Sequence, residues 1–242
     1  MAARIDRLWP EPADDLDDDD ILGPGDPGVR VNFISSVDGA ATTGGLSGGL
    51  GDAADKRRFE LLRRAADVVV VGAGTVRAEG YGPLRVSAQS ARWRFEHGMP
   101  EHPVFAIVSG SLDLDPASRI FTEAPVRPIV VTTERATGVD AFAEVADVIV
   151  AGAEHADLPA MLAALSERGL TRVLCEGGPS LFGSLLAADR VDELYLTVSP
   201  RLEAGDAPRI SHGDIPAPRE LTLKTVLRSN DTLLLTYARL AT

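Results

Sequence analysis

Leu174-Cys175-Glu176-Gly177-Gly178-Pro179-Ser180-Leu181-Phe182-Gly183 carries the densest signal in this chain. It reads as the end of a buried strand, a glutamate at the strand tip, a double-glycine turn and the start of a helix. Two residues without side chains let backbone amides come close to a ligand. Pro179 suits the first helical turn, where its missing N–H would have no partner anyway. The helix start turns unpaired N–H groups and the positive end of its dipole toward the same space. That arrangement suits a phosphate or pyrophosphate. Glu176 stands beside it, placed to orient or help protonate a substrate held over a nucleotide. The pattern is that of a nucleotide-using enzyme rather than a scaffold.

Working outward, strand-like and helix-like segments alternate. Val29–Ser35 reads as a strand and Ala53–Ala66 as a helix with Phe59, Leu62 and Ala66 on one face. Asp67–Val71 is a β-branched run of the kind covered on both faces in a sheet. Val104–Val108, Pro128–Val131 and Asp147–Val150 repeat it. Asp157 caps a helix ended by Gly169. Arg172–Cys175 is the next strand, Pro179–Ala188 the next helix, and Asp192–Val198 a strand stopped by Pro200. Leu221–Leu227 and Leu233–Leu240 read as a closing antiparallel pair turned at Ser229-Asn230-Asp231. The expectation is α/β: a mostly parallel central sheet with helices on both faces and a C-terminal antiparallel strand pair. Residues 29–242 read as a single domain. An irregular acidic lead-in, 1–28, precedes them and closes at Gly23-Pro24-Gly25-Asp26-Pro27-Gly28. Gly82–Pro103 is the most polar stretch and reads as a long functional loop.

The net charge of −12 is concentrated in Asp14-Asp15-Leu16-Asp17-Asp18-Asp19-Asp20, which reads as a solvated segment. That balance argues against a nucleic-acid partner. The single cysteine, Cys175, excludes an internal disulfide and reads as inert packing. No apolar run approaches the ~20 residues of a membrane span, and Met1–Pro12 lacks the apolar core of a secretory signal. A soluble cytoplasmic protein is expected. His97, His102, His155 and His212 have no metal-ligand spacing, so no metal is expected.

Ligands of open α/β sheets bind at the carboxyl ends of the strands. Those ends read Ser35-Ser36-Val37-Asp38-Gly39, Gly72-Ala73-Gly74-Thr75, Ser109-Gly110-Ser111, Thr132-Thr133 and Glu176-Gly177-Gly178. Arg77 stands where a dinucleotide fingerprint has its third glycine, which leaves both a plain strand-to-helix turn and a nucleotide contact open at Gly72–Gly74. Asp38-Gly39 is either a turn or an acid. Arg57, Arg58, Arg63 and Arg64 read as a solvated helix face, with a phosphate fork as the functional alternative at Arg63. Ser180 does not fit a nucleophile elbow.

Taken in order, several strings resemble one family. They are Val31-Asn32-Phe33-Ile34-Ser35-Ser36-Val37-Asp38-Gly39, Leu46-Ser47-Gly48, Leu61-Leu62-Arg63-Arg64-Ala65-Ala66-Asp67, Gly74-Thr75-Val76, Glu176-Gly177-Gly178-Pro179 and Val191–Pro200. Together they are similar to the pyrimidine reductase of riboflavin biosynthesis. That enzyme is the reductase half of the bacterial bifunctional deaminase-reductase, related in fold to dihydrofolate reductase. The resemblance implies a homodimeric NADPH-dependent oxidoreductase acting on 5-amino-6-(5-phosphoribosylamino)uracil, reducing its opened ribose at C1′ to the ribityl product. By motif, Gly49, Thr75, Glu79, Ser109, Gly177, Gly178, Pro179, Ser180, Leu181, Phe182, Gly183 and Ser184 line the NADPH site. Ser47, Arg63, Leu84, Arg85 and Glu176 line the substrate site, with Arg63 and Arg85 at the phosphate and Asp38 and Glu176 as the catalytic pair. Three departures stand out. Asn32 replaces a common lysine, Glu79 replaces the usual aspartate with Gly80-Tyr81-Gly82-Pro83 after it, and the deaminase half is missing. A deaminase zinc site needs more than one cysteine, so deamination is expected from a separate protein. The departures keep two alternatives in view: reduction of a pterin such as dihydrofolate, and a catalytically idle NADP-binding dimer.

Overall fold

The computed structural model describes residues 3–23 and 25–240; Pro24 of the expected closing turn and the outermost residues of both ends lie outside them. In chain order the elements are β1 (Asp6–Trp9), α1 (Asp18–Leu22), β2 (Gly28–Ser36), α2 (Ala53–Ala65), β3 (Val68–Gly72), α3 (Ala73–Ala78), α4 (Ala88–Glu96), β4 (Val104–Val108) and α5 (Arg119–Thr122). There follow β5 (Ile129–Thr132), α6 (Asp140–Ala143), β6 (Asp147–Val150), α7 (Leu158–Ser166), β7 (Arg172–Cys175), α8 (Pro179–Ala187), β8 (Glu193–Ser199), β9 (Leu221–Ser229) and β10 (Thr232–Arg239). The fold is α/β, and every strand read from the sequence is present within a residue or two. The residues group into two compact units, Met1–Leu62 with Pro179–Thr242, and Arg63–Gly178.

The Arg63–Gly178 unit has strand order β7-β3-β4-β5-β6, all parallel. Val68 to Val71 are buried throughout, as a parallel strand covered on both faces requires. Asp67 fixes the start of this sheet. Its carboxylate accepts Arg172 Nε at 3.0 Å and the amides of Thr171 and Arg172. The expected functional loop Gly82–Pro103 contains α4, which corrects that reading. Ser87 caps α4 by accepting the Ser90 amide. Its buried face is Ser90 and Arg94, so no apolar stripe announces it. Arg94 is fully buried and donates to the carbonyls of Pro100, Arg64 and Ala66 at 2.7, 2.9 and 2.5 Å, and to Arg63 at 3.4 Å. One guanidinium thus satisfies the end of α2.

The other unit has strand order β1-β9-β10-β8-β2, in which only β2 and β8 run parallel. The closing hairpin turns at Asn230-Asp231, with Asn230 at φ 51°, a left-handed conformation asparagine tolerates. The lead-in is not irregular: it supplies β1, paired with β9, and α1. Asp17 caps α1 through the amides of Asp19 and Asp20, and Arg57 forks Asp18 at 3.0 and 2.7 Å. Ile5, Leu16, Ile21 and Leu22 are buried beneath that acidic run.

The sheet of this unit has two unlike faces. On one, Thr197 donates to Asp55 at 2.6 Å, and Arg58 donates to Thr197 and the Leu235 carbonyl. Arg58 and Arg64 are buried, which corrects the reading of α2 as carrying four solvated arginines. The opposite face is aliphatic. Leu233 pairs with Val198, and Leu235 with Leu196 and Val226. All five stay only half-buried.

Candidate active site

In the Arg63–Gly178 unit, β7 delivers Glu176 to the strand tip. The Glu176 amide donates to Val70 at 3.1 Å, and the Gly72 amide donates to Gly177 at 2.8 Å, so the turn is tied to β3 at two points. The Glu176 side chain is 1% exposed and receives three donors. Arg63 forks it, Nε to Oε1 at 2.6 Å and a terminal nitrogen to Oε2 at 2.7 Å, and the Tyr81 hydroxyl donates to Oε2 at 2.9 Å. Burial makes such a pair costly to break, since either partner alone would be an uncompensated charge. The Tyr81 ring stacks on Phe105 with centroids 5.8 Å apart. Burial, then the Glu176 charge, pushes the Tyr81 hydroxyl above its ordinary value, so it stays protonated and keeps donating.

Gly177 has φ 95°, a conformation that favours glycine, and the Gly177–Gly178 peptide is cis. A Cβ on Gly178 would overlap Thr75 Oγ1, so the position admits no side chain while Thr75 keeps its rotamer. Two expected nucleotide contacts are therefore brought together. Ser109 is buried at the end of β4, its amide on Val131, and the Glu79 amide closes α3 on the Thr75 carbonyl. Leu84 is buried, whereas Arg85 is exposed and donates to the Glu123 carbonyl at 2.7 Å. Arg63 and Glu176 thus lie together, and Arg85 turns elsewhere. Cys175 is fully buried beneath the site, and burial pushes its thiol up to about 12, which leaves it unreactive.

In the other unit, Asp38 follows β2. Its carboxylate accepts the Ser36 hydroxyl and the amides of Ala204 at 2.8 Å and Glu203 at 3.1 Å. Those donors, the Ser36 hydroxyl first, hold the carboxyl down at about 2, so it is ionised at neutral pH. Ser47 accepts the Leu50 amide, and the Gly49 carbonyl accepts Arg201 at 3.0 Å. In α8, Leu181, Phe182 and Gly183 are buried while Ser180 and Ser184 are exposed. Phe182 stacks on Phe33, ring centroids 4.8 Å apart. The Pro179 carbonyl accepts the His212 amide.

Sequence reasoning missed Tyr81, whose only signal was the departure of its loop from the family pattern. It also missed residues 201–212, which contact Asp38, Gly49 and Pro179 but carry no regular element.

The chain is thus an α/β protein with a buried arginine–glutamate fork at a strand tip, next to a diglycine turn in which Gly178 has no room for a Cβ. Residues 27–235 match the RibD C-terminal domain, and the chain belongs to that family. It is 29% identical over 192 residues to the 2,5-diamino-6-ribosylamino-4(3H)-pyrimidinone 5′-phosphate reductase of Methanothermobacter thermautotrophicus, covering 78% of this chain and 85% of that one. It is 29% identical over 180 residues to the riboflavin biosynthesis protein RibD of Mycobacterium tuberculosis, of which it spans 44%. Among solved structures, a pyrimidine reductase-like protein from Corynebacterium diphtheriae superposes with a TM-score of 0.81 at 30% identity, covering 89% of this chain and 93% of that one. Acinetobacter baumannii RibD shares the fold, with a TM-score of 0.70 at 21% identity over 90% of this chain and 59% of that one. No helix among the described residues is long and apolar enough to cross a membrane.

Proposed function

We propose that the protein is an NADPH-dependent reductase of a ribosylaminopyrimidine 5′-phosphate in riboflavin synthesis. The observation that carries this reading is the Arg63–Glu176–Tyr81 cluster beside the Gly177-Gly178 turn. Family membership supports a nicotinamide cofactor, and NADPH in particular is our assignment. The chain's residues fit such a group. Gly178 offers bare backbone against Thr75, and α8 begins directly after it, where first-turn N–H groups have no intrahelical acceptor. When bound, the cofactor supplies hydride for C1′ of the opened ribose. Glu176 offers a carboxylate oxygen to the sugar, and Arg63 and the Tyr81 hydroxyl hold that carboxylate in one rotamer. Thr75, Glu79, Ser109, Gly49 and Gly177 to Ser184 are assigned to the nucleotide. Ser47, Leu84 and Arg63 are assigned to the substrate, and Arg85, exposed on its loop, joins them by leaving the Glu123 carbonyl.

Two pyrimidines fit this reading. The diaminopyrimidinone named for the archaeal relative carries an amino group at C2, where the aminouracil carries an oxygen. Purified protein offered NADPH with each pyrimidine, and with dihydrofolate in parallel, should oxidise NADPH at least about tenfold faster with one of the pyrimidines. Turnover of dihydrofolate alone would reassign the substrate to a pterin. Tight NADPH binding without any turnover would leave an idle nucleotide binder.

We further propose a homodimer in which a second copy covers the aliphatic face of Leu196, Val198, Val226, Leu233 and Leu235. A contiguous half-exposed apolar sheet face is unusual on a monomer, and here it belongs to an acidic chain of net charge −12. Light scattering should give twice the chain mass, and Leu235→Glu should return it to the chain mass.

A further inference from the structure

The connection between β8 and β9 contains no helix or strand, yet its first half is stitched down at several points. The Val37 amide donates to Arg201 at 3.0 Å, and the Ala41 amide donates to Pro208 at 2.8 Å. Between them, the amides of Glu203 and Ala204 converge on the Asp38 carboxylate. Ala204 has φ 54°, a left-handed conformation rare outside glycine, and this bend aims two successive N–H groups at one anion. The same segment then touches three positions assigned to the nucleotide. Arg201 donates to the Gly49 carbonyl, the His212 amide donates to the Pro179 carbonyl, and the His212 carbonyl leaves no room for a Cβ on Gly183.

We propose that residues 201–212 form a fixed wall of the nucleotide site, and that Asp38 is the positioning residue that holds this wall rather than a proton donor. The proposal rests on the reductase reading above for the identity of the nucleotide, but the tether itself does not. Two features oppose an acid role. All three donors around Asp38 point at its oxygens, so a proton on the carboxyl would face donors. And the residue spends its hydrogen bonds on backbone 165 and 166 positions away, which is the work of an anchor.

The test uses Asp38→Ala and Asp38→Asn in the full chain. Arg201 and Arg209 lie exposed on the segment and provide tryptic sites, whose cleavage rates are read by mass spectrometry. In Asp38→Ala, cleavage at these two sites should rise at least about tenfold with the melting temperature nearly unchanged, because only a local opening is eased. The Kd for NADPH, read by fluorescence titration, should weaken by about tenfold. KM for NADPH should rise accordingly, with kcat at saturating nucleotide falling far less. Asp38→Asn keeps one acceptor oxygen and should fall between. Unchanged tryptic rates would overturn the tether. Faster cleavage with unchanged Kd would overturn the wall. A collapse of kcat at saturating NADPH in both variants would make Asp38 catalytic after all. A parent protein with no affinity for NADPH would instead remove the reductase reading, while the cleavage comparison still decides the tether.

Discussion

Glu176→Gln is expected to lower turnover of the pyrimidine at least about a hundredfold while leaving the Kd for NADPH within about twofold. Glutamine has the same shape, so the loss is one of charge and of hydrogen-bond direction. Glu176 accepts from two Arg63 nitrogens and the Tyr81 hydroxyl. A glutamine presents one acceptor and one NH2, so at least one donor must meet another donor. Hydrogen bonds to a charged group contribute about 1.5–3 kcal/mol each, and about 2.7 kcal/mol lost only in the transition state is a factor of about a hundred. Gly178 and Thr75, proposed for the nucleotide, approach each other without this carboxylate between them. Steady-state kinetics, a nucleotide titration and a melting curve separate the three effects. Turnover within twofold of the parent, in a folded variant, would remove Glu176 from the chemistry.

Arg94→Ala is expected to cost about 3–5 kcal/mol of stability, among the largest effects of any single change outside the apolar core. The guanidinium is fully buried and serves the carbonyls of Arg63, Arg64, Ala66 and Pro100. Its removal strands those acceptors away from water and opens a cavity the size of a long side chain. Lysine restores the charge but not the planar fork, so Arg94→Lys should recover only part of the loss. Thermal or urea unfolding measures both. A loss under about 1 kcal/mol for the alanine variant would show that water replaces the guanidinium. Since one of the served carbonyls belongs to Arg63, turnover should fall even at temperatures where the variant stays folded.

The strands were legible because their residue types leave little choice. Val68 to Val71 can only be a strand covered on both sides, and the β9–β10 hairpin follows from Ser229-Asn230-Asp231 between two apolar runs. What escaped has a common cause: polar groups placed inside. The inner face of α4 is serine and arginine, and α2 buries Arg58 and Arg64, so hydropathy points the wrong way at both. In the lead-in, seven residues with six aspartates concealed the few apolar anchors that fold it onto β9 and α2. For the site, Glu176 and the diglycine turn were readable because their chemistry is local. Tyr81 was not, since a tyrosine in a glycine-rich loop gains its meaning only when Glu176, 95 positions away, arrives beside it. The bond between Asp38 and the Glu203–Ala204 backbone is likewise invisible to any local pattern.

The single thiol, sealed under the strand tip, has a practical meaning for spectroscopy. Maleimide reagents should pass the native protein by, with no need to mutate Cys175 and disturb the residue next to Glu176. A cysteine placed at Leu202, 78% exposed on the segment pinned by Asp38, would then be the sole target for a dye. With that one substitution, Leu202→Cys, the protein would carry a single dye on the segment proposed to wall the nucleotide site.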